Sequence, residues 1–167
     1  KPAVACGSLI AQTGYDLTVI SAIEERAGEN GPRYCHVLGM VQPEIRFEVS
    51  LPLEWNQRLL FFGNGGYAGD NLETPGPNGT RDASLAKGFL TARTNTGHDA
   101  RTEPLGTFAV NPQKLYDYAF RSLHVTVETA KRLAKVYYGQ LPRKAYYYGC
   151  STGGRQGLIF AQRFPND

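Results

Sequence analysis

Along residues 44–53, EIRFEVSLPL, apolar side chains at Ile45, Phe47, Val49 and Leu51 alternate with more polar ones, the period of a half-buried strand. Residues 58–66, RLLFFGNGG, lack that alternation: their apolar run is continuous and ends in glycines, which predicts a strand covered on both faces. Residues 88–97, GFLTARTNTG, also run through polar positions into a glycine. From Asn111 the period changes. Leu115, Tyr118, Ala119, Leu123, Ala130, Leu133, Ala134 and Tyr137 recur at three- and four-residue steps, the stripe of a helix. Asn111 and Pro112 suit its cap and first turn, and Gly139 its end. Pro142 precedes KAYYYG (144–149), read as a short buried strand of aromatic residues, and GGRQGLIFAQRF (153–164) reads as the next helix, stopping before Pro165.

Strand, helix, strand, helix with buried strands predicts an α/β fold with a largely parallel sheet. In such sheets the working residues lie at the carboxyl ends of the strands. Three predicted strands end there in glycine-rich or polar turns: GNGGYAG (63–69), TNTGHDA (94–100) and GCSTGG (149–154). Residues 67–82 read as a loop, within which Asn78-Gly79-Thr80 is a formal glycosylation sequon. There is no internal repeat.

Composition narrows the function classes. A chain of 167 residues suffices for one domain with a proper core, taken here as residues 1–167. The net charge of +3 is dispersed, and the one basic cluster, Lys131, Arg132, Lys135, Arg143 and Lys144, reads as a solvated surface too sparse for a nucleic-acid face. No apolar run approaches the roughly 18 residues of a membrane span. No signal peptide is visible, and a start at Lys1 is what a processed secreted protein or a trimmed chain would show. Three cysteines, Cys6, Cys35 and Cys150, are an odd count, so one of them lacks a partner among these residues. None has the close spacing of a zinc or redox site, and His36 beside Cys35 is too little to propose a metal.

The chemistry concentrates at Gly149-Cys150-Ser151-Thr152-Gly153, a Gly-x-Ser-x-Gly between a predicted strand and a predicted helix. Glycines two positions either side permit a bend too tight for side chains, and the bend lifts the Ser151 hydroxyl above the sheet. The Thr152 N–H then lies at a helix N-terminus, where it can stabilise an oxyanion. A second donor is expected from the loop after an earlier strand, with Gly66 and then Gly65 as candidates. The competing readings are a chance match for the serine motif and a flexible turn for the glycines. Tyr67 and His98 are candidate pocket residues, although His98 fits a structural role equally well. His124 falls inside the long helix as a packed or surface residue. Hydrolases of this kind place an acid and then a histidine after the serine; none of the three histidines follows Ser151, and Asp167 has no evident partner.

The runs YYYGCSTGGRQGL, FFGNGGYAG, TNTGHD and FAVNPQKLYDYAFRSLHVTVETAKRLAKVYYG resemble the tannase and feruloyl esterase family over essentially the whole chain. The resemblance implies the N-terminal part of an α/β-hydrolase catalytic domain with Ser151 as nucleophile. It implies a disulfide from Cys150 to a cysteine directly after the catalytic histidine, outside these residues, and a separate Cys6–Cys35 disulfide in an oxidising, secreted or periplasmic setting. It also implies a lid domain, absent here, carrying a structural calcium; no cofactor is expected for catalysis. The expected substrate is a small ester of a hydroxylated aromatic acid, feruloyl by preference, with galloyl and terephthalate esters as alternatives. No nucleic acid or membrane is expected as a partner, and a second chain could carry the remaining residues. The alternative of another class is an inert fragment or binding module.

Overall fold

The computed structural model describes residues 1–72 and 79–167. Six strands, β1 (Leu17–Arg26), β2 (Arg33–Val41), β3 (Ile45–Pro52), β4 (Arg58–Phe62), β5 (Leu90–Thr94) and β6 (Lys144–Tyr148), form one sheet in the order β1-β2-β3-β5-β4-β6. From β1 to β5 neighbours are antiparallel, and β5, β4 and β6 run parallel. The sheet is therefore mixed rather than largely parallel. The periodicity did not reveal β1 and β2, because β1 has a register shift between Val19 and Ser21 and leaves Ile20 and Ile23 exposed.

Four α-helices accompany the sheet: α1 (Gly79–Ala86), α2 (Pro112–Tyr116), α3 (Ser122–Tyr138) and α4 (Thr152–Arg163). The Asn111 side chain accepts from the N–H groups of Gln113 and Lys114, and Gly139 ends α3 at φ +76°. The predicted single helix is divided by a π-helical turn, Asp117–Arg121, which carries Asp117 into full burial. The expected loop over 67–82 is shorter than read, since Gly79 already begins α1; Asn78 of the sequon lies outside the described residues.

One face of the sheet, with Phe47, Val49, Leu51, Leu59, Phe61 and Leu90, packs in a single core with Leu123, Val127, Ala130 and Leu133 of α3. Each such side chain contributes about 1.5–3 kcal/mol by leaving water. Cys6 and Cys35 form a disulfide that joins the 3₁₀ turn Cys6–Gln12 to β2, as the family resemblance implied. β6 departs from expectation: it is the outer strand of the described sheet, Tyr146 and Tyr148 are exposed, and only Tyr147 is half-buried, stacked on Phe61. An apolar groove of about 390 Å³ runs beside it, lined by Phe61, Ala145, Tyr147 and Phe160. Asp167 also has partners after all: its carboxylate lies 2.6 Å from His124 Nδ1 and 3.5 Å from Lys131 Nζ, where the chain after α4 folds back on α3.

β3 is buried on both faces rather than one. Its second face carries Glu48, 2% exposed, which is neutralised by three cationic or polar partners. Arg81 Nη1 of α1 donates to it at 2.8 Å, Arg93 of β5 pairs with it, and His36 Nε2 of β2 lies 3.1 Å away. His36 Nδ1 faces Glu25 at 3.3 Å, and the Tyr34 hydroxyl donates to Glu25 at 2.9 Å. Burial works against the Glu48 charge, but His36, Arg93 and Arg81 together hold the carboxyl at about 2. Burial likewise opposes the His36 imidazolium, and the Glu48 and Glu25 carboxylates outweigh it, raising His36 above 6.5.

These shifts define a pH window. His36 stabilises the fold in full below 6.5, and that contribution is lost as pH rises through its raised folded value; Glu48 stabilises in full above 4.5, and is lost as pH falls towards about 2. Urea unfolding across the pH range should show the deficit of His36→Asn greatest between these limits and shrinking on the alkaline side. Glu48→Gln should cost about 3 kcal/mol at pH 6, because it removes the buried carboxylate charge that His36, Arg81 and Arg93 share.

Candidate active site

Ser151 follows β6 and caps α4 at φ +56°, ψ −122°, a backbone conformation that an L-residue adopts at a cost of about 1–3 kcal/mol. Its side chain is exposed. The bend explains both glycines. A Cβ on Gly149 would lie 2.6 Å from the Gly153 carbonyl oxygen, and one on Gly153 would lie 3.1 Å from the Asn64 oxygen in the loop after β4. Gly157, one turn further on, is pressed against the Tyr147 ring, 2.8 Å from where its Cβ would be. The N–H of Gly153 bonds Cys150, and those of Gly154 and Arg155 bond the Ser151 carbonyl. Thr152, the first residue of α4, belongs to the end of the helix whose N–H groups lack an intrahelical acceptor.

The glycine loop after β4 is fastened to this elbow. Gly63 N–H donates to the Tyr148 carbonyl at 2.8 Å, and Asn64 N–H donates to Gln156 Oε1 at 2.9 Å. The Tyr147 hydroxyl donates to the Gly153 carbonyl at 2.7 Å and lies 3.2 Å from the same Gln156 oxygen. On the other side the Asn64 amide donates to the Thr94 carbonyl at 2.9 Å and to Asp70. Gly69 and the turn after β5 exchange bonds, Gly69 N–H to Asn95 O and Ala100 N–H to Gly69 O, both 3.1 Å. The carboxyl ends of β4, β5 and β6 thus form one hydrogen-bonded rim. Gly65, Gly66 and Tyr67 stand exposed on it, with Gly66 at φ +54°.

His98 lies beneath that rim, 1% exposed and stacked on Phe108 with ring centroids 3.9 Å apart. A Cβ on Gly69 would come within 2.8 Å of its Nε2, so the imidazole fills the underside of the glycine loop. Burial lowers its pKa, and it is neutral at neutral pH. It also borders a polar cleft of about 220 Å³ with Asp70, Asn71 and Asp99. His36 and His124 are engaged with carboxylates elsewhere. Cys150, beside Ser151, is exposed and has no disulfide partner among the described residues. Among the described residues no group of three or more His, Cys, Asp or Glu side chains could hold a metal ion. Asn64, Tyr147 and Gln156 escaped the sequence reading. The signal for Gln156 is its position three residues after Gly153 and four before Phe160, a polar residue on the buried stripe of α4.

A serine thrown into left-handed geometry between a parallel strand and a helix, above a mixed sheet, defines the α/β-hydrolase class of fold. Within that class the chain belongs to the tannase and feruloyl esterase family, whose model matches residues 29–167. It is 34% identical to an uncharacterized esterase of Xanthomonas campestris pv. campestris, over 96% of this chain and 30% of that protein. With the mono(2-hydroxyethyl) terephthalate hydrolase of Piscinibacter sakaiensis it shares 33% identity, over 89% of this chain and 24% of that protein. The crystal structure of feruloyl esterase B from Aspergillus oryzae superposes with a TM-score of 0.80 at 31% identity, covering 96% of this chain and 34% of that one. The chain thus spans about a third or less of the length of these relatives.

The glycines of the elbow are expected to respond differently to substitution. Gly149→Ala should destabilise by about 1–3 kcal/mol, since its clash is with backbone. Gly154→Ala, whose Cβ would meet only the Gly149 oxygen at 4.0 Å, should stabilise by up to about 1 kcal/mol as a helical alanine. Chemical denaturation of the two variants checks the contrast.

Proposed function

We propose that this chain supplies the nucleophile and oxyanion site of a serine esterase acting on esters of hydroxylated aromatic acids. The observation that carries the reading is the backbone of Ser151: strain is maintained at an exposed hydroxyl on the rim of the sheet, at the N-terminus of a twelve-residue helix. In this reading a general base removes the Ser151 proton as Oγ attacks the ester carbonyl carbon. The carbonyl oxygen takes the negative charge, and the Thr152 and Gly66 N–H groups hold it, with Gly65 allowing the loop to approach. Collapse breaks the bond to the alcohol, which leaves with the proton from the base. Water, deprotonated by the same base, then releases the acid from the serine.

The base and its orienting acid are assigned to residues beyond those described, in keeping with the greater length of the relatives. Cys150 is assigned a disulfide to a cysteine next to that base; its exposure beside Ser151 supports the assignment. Feruloyl esters are the preferred class, since relatives named feruloyl esterase match this chain in both sequence and fold. Galloyl and terephthalate monoesters are the alternatives. The Cys6–Cys35 disulfide supports an oxidising, secreted or periplasmic location.

The test uses the full-length protein and a feruloyl ester. Ser151→Ala should lower kcat by about 10³-fold or more with the melting temperature little changed, and a serine-directed phosphonate should add its mass at Ser151 in the wild type alone. Turnover retained in Ser151→Ala would remove the serine from the mechanism.

A further inference from the structure

The glycine loop turns at Gly65–Ala68, closed by Ala68 N–H on the Gly65 carbonyl at 3.0 Å, with Gly66 in the first central position at φ +54°. Turns with a positive φ there differ among themselves by the orientation of the central peptide, here Gly66 C=O to Tyr67 N–H. Rotating that peptide exchanges the directions of carbonyl and N–H while the flanking chain stays in place. Because the unit is planar and trans, the two groups always point opposite ways. For an oxyanion site the difference is one of sign: an N–H attracts the developing charge and a carbonyl repels it.

A side chain from outside the turn holds this peptide. The Tyr118 hydroxyl donates to the Gly66 carbonyl at 3.2 Å. Tyr118 belongs to the π-helical turn between α2 and α3, a local widening of the helix of the kind often found at functional sites. Its ring is fixed on three sides. Phe108 tilts against it at 4.9 Å, His98 meets it edge-on at 6.1 Å, and the Arg155 guanidinium lies 5.0 Å from its centroid. Arg155 is on the first turn of α4, four residues after Ser151, and its buried Nη2 has no hydrogen-bond partner, which leaves the ring face as a principal neighbour of the charge. A cation against the ring also strengthens the phenol as a donor.

We propose that Tyr118 is a positioning residue for the reaction assigned to Ser151: its hydroxyl locks the central peptide of the Gly65–Ala68 turn with the Gly66 carbonyl drawn towards Tyr118 and the Tyr67 N–H on the opposite side. Arg155 ties that lock to the helix that presents the serine. The proposal rests on the esterase reading above. It adds Tyr67 N–H, which lies on the locked peptide, to the Gly66 N–H assigned above, which belongs to the preceding peptide and does not turn with it. The flipped form, in which a carbonyl replaces an N–H, needs a positive φ at Tyr67; removing the hydroxyl takes away the side-chain hydrogen bond that reinforces this backbone bias.

Tyr118→Phe keeps the ring, its stacking and its contact with Arg155, and loses only the hydroxyl. In the full-length protein it should lower kcat for a feruloyl ester about tenfold or more, with KM within about twofold, because the loss falls on the transition state. Independently of turnover, the Tyr67 and Ala68 amides should exchange with solvent faster and shift in the NMR spectrum. Tyr116→Phe, at an exposed neighbour, should match the wild type in every measurement. Unchanged kcat with unchanged amides, or a rise in KM alone, would overturn the proposal. If Ser151→Ala is inactive while Tyr118→Phe behaves as wild type, only the lock is wrong; if Ser151→Ala retains full turnover, the esterase reading falls and the lock with it.

Discussion

A serine at positive φ relaxes unless its surroundings hold it there, and the bend that holds it here fits only because Gly149 has no Cβ, which would lie 2.6 Å from the Gly153 carbonyl oxygen. With no side chain at Gly149 or Gly153, three residues, 149–151, carry the chain from the strand into the helix. The strain is small against the total stability of a domain but large for a single residue. It persists because the atoms around it are fixed from several directions. The Tyr147 hydroxyl holds the Gly153 carbonyl, and Gln156, fully buried, receives Tyr147 and the Asn64 N–H on one oxygen. Removing the Gln156 oxygen would leave the Asn64 N–H without this acceptor, and a buried donor left unpaired costs more than an ordinary hydrogen bond returns.

The antiparallel half of the sheet serves the same end at a distance. β3 is the junction, pairing antiparallel with β5, whose turn holds the glycine loop. Its outer face is a charged network around Glu48, and its inner face is the apolar core under α3. The Cys6–Cys35 disulfide closes a span of 29 residues, worth about 3–4 kcal/mol on chain entropy. The site therefore sits on the parallel strands, while the antiparallel strands and their covalent tie keep those strands in register.

What the sequence disclosed follows from where the forces act. Strand β3, the capped start at Asn111, the end at Gly139 and the Gly-x-Ser-x-Gly bend are set by neighbours in sequence, and their pattern is legible for that reason. The candidate residues Ser151, Thr152, Gly65 and Gly66 come from the same kind of local signal. β1 was hidden by its irregular register, and the burial of Glu48 by partners from β2, β5 and α1 that no local window contains. β6 is exposed among the described residues because burial depends on what packs beside a strand, which its three consecutive tyrosines do not specify. Gln156 and Tyr118 act through residues 92 and 52 positions away, so composition and period carry little trace of them.

The two halves of the proposed oxyanion site are held by forces of different stiffness. Thr152 N–H is fixed by the helix that it begins, and moving it would mean unwinding the first turn of α4. The Gly66–Tyr67 peptide belongs to an exposed turn, with no helix to fix it, and its rotation would carry Tyr67 to positive φ. A directional donor from outside the turn adds to that backbone bias. His98 fills the space below Gly69, stacked on Phe108, and its imidazole also reaches the backbone of Tyr67, supporting the loop from beneath. The Tyr118 hydroxyl is a directional donor, and it reaches the one carbonyl whose orientation decides the sign of the field above the turn. Control of the turn therefore lies in the π-helical segment between α2 and α3, an element without a residue in the serine motif itself.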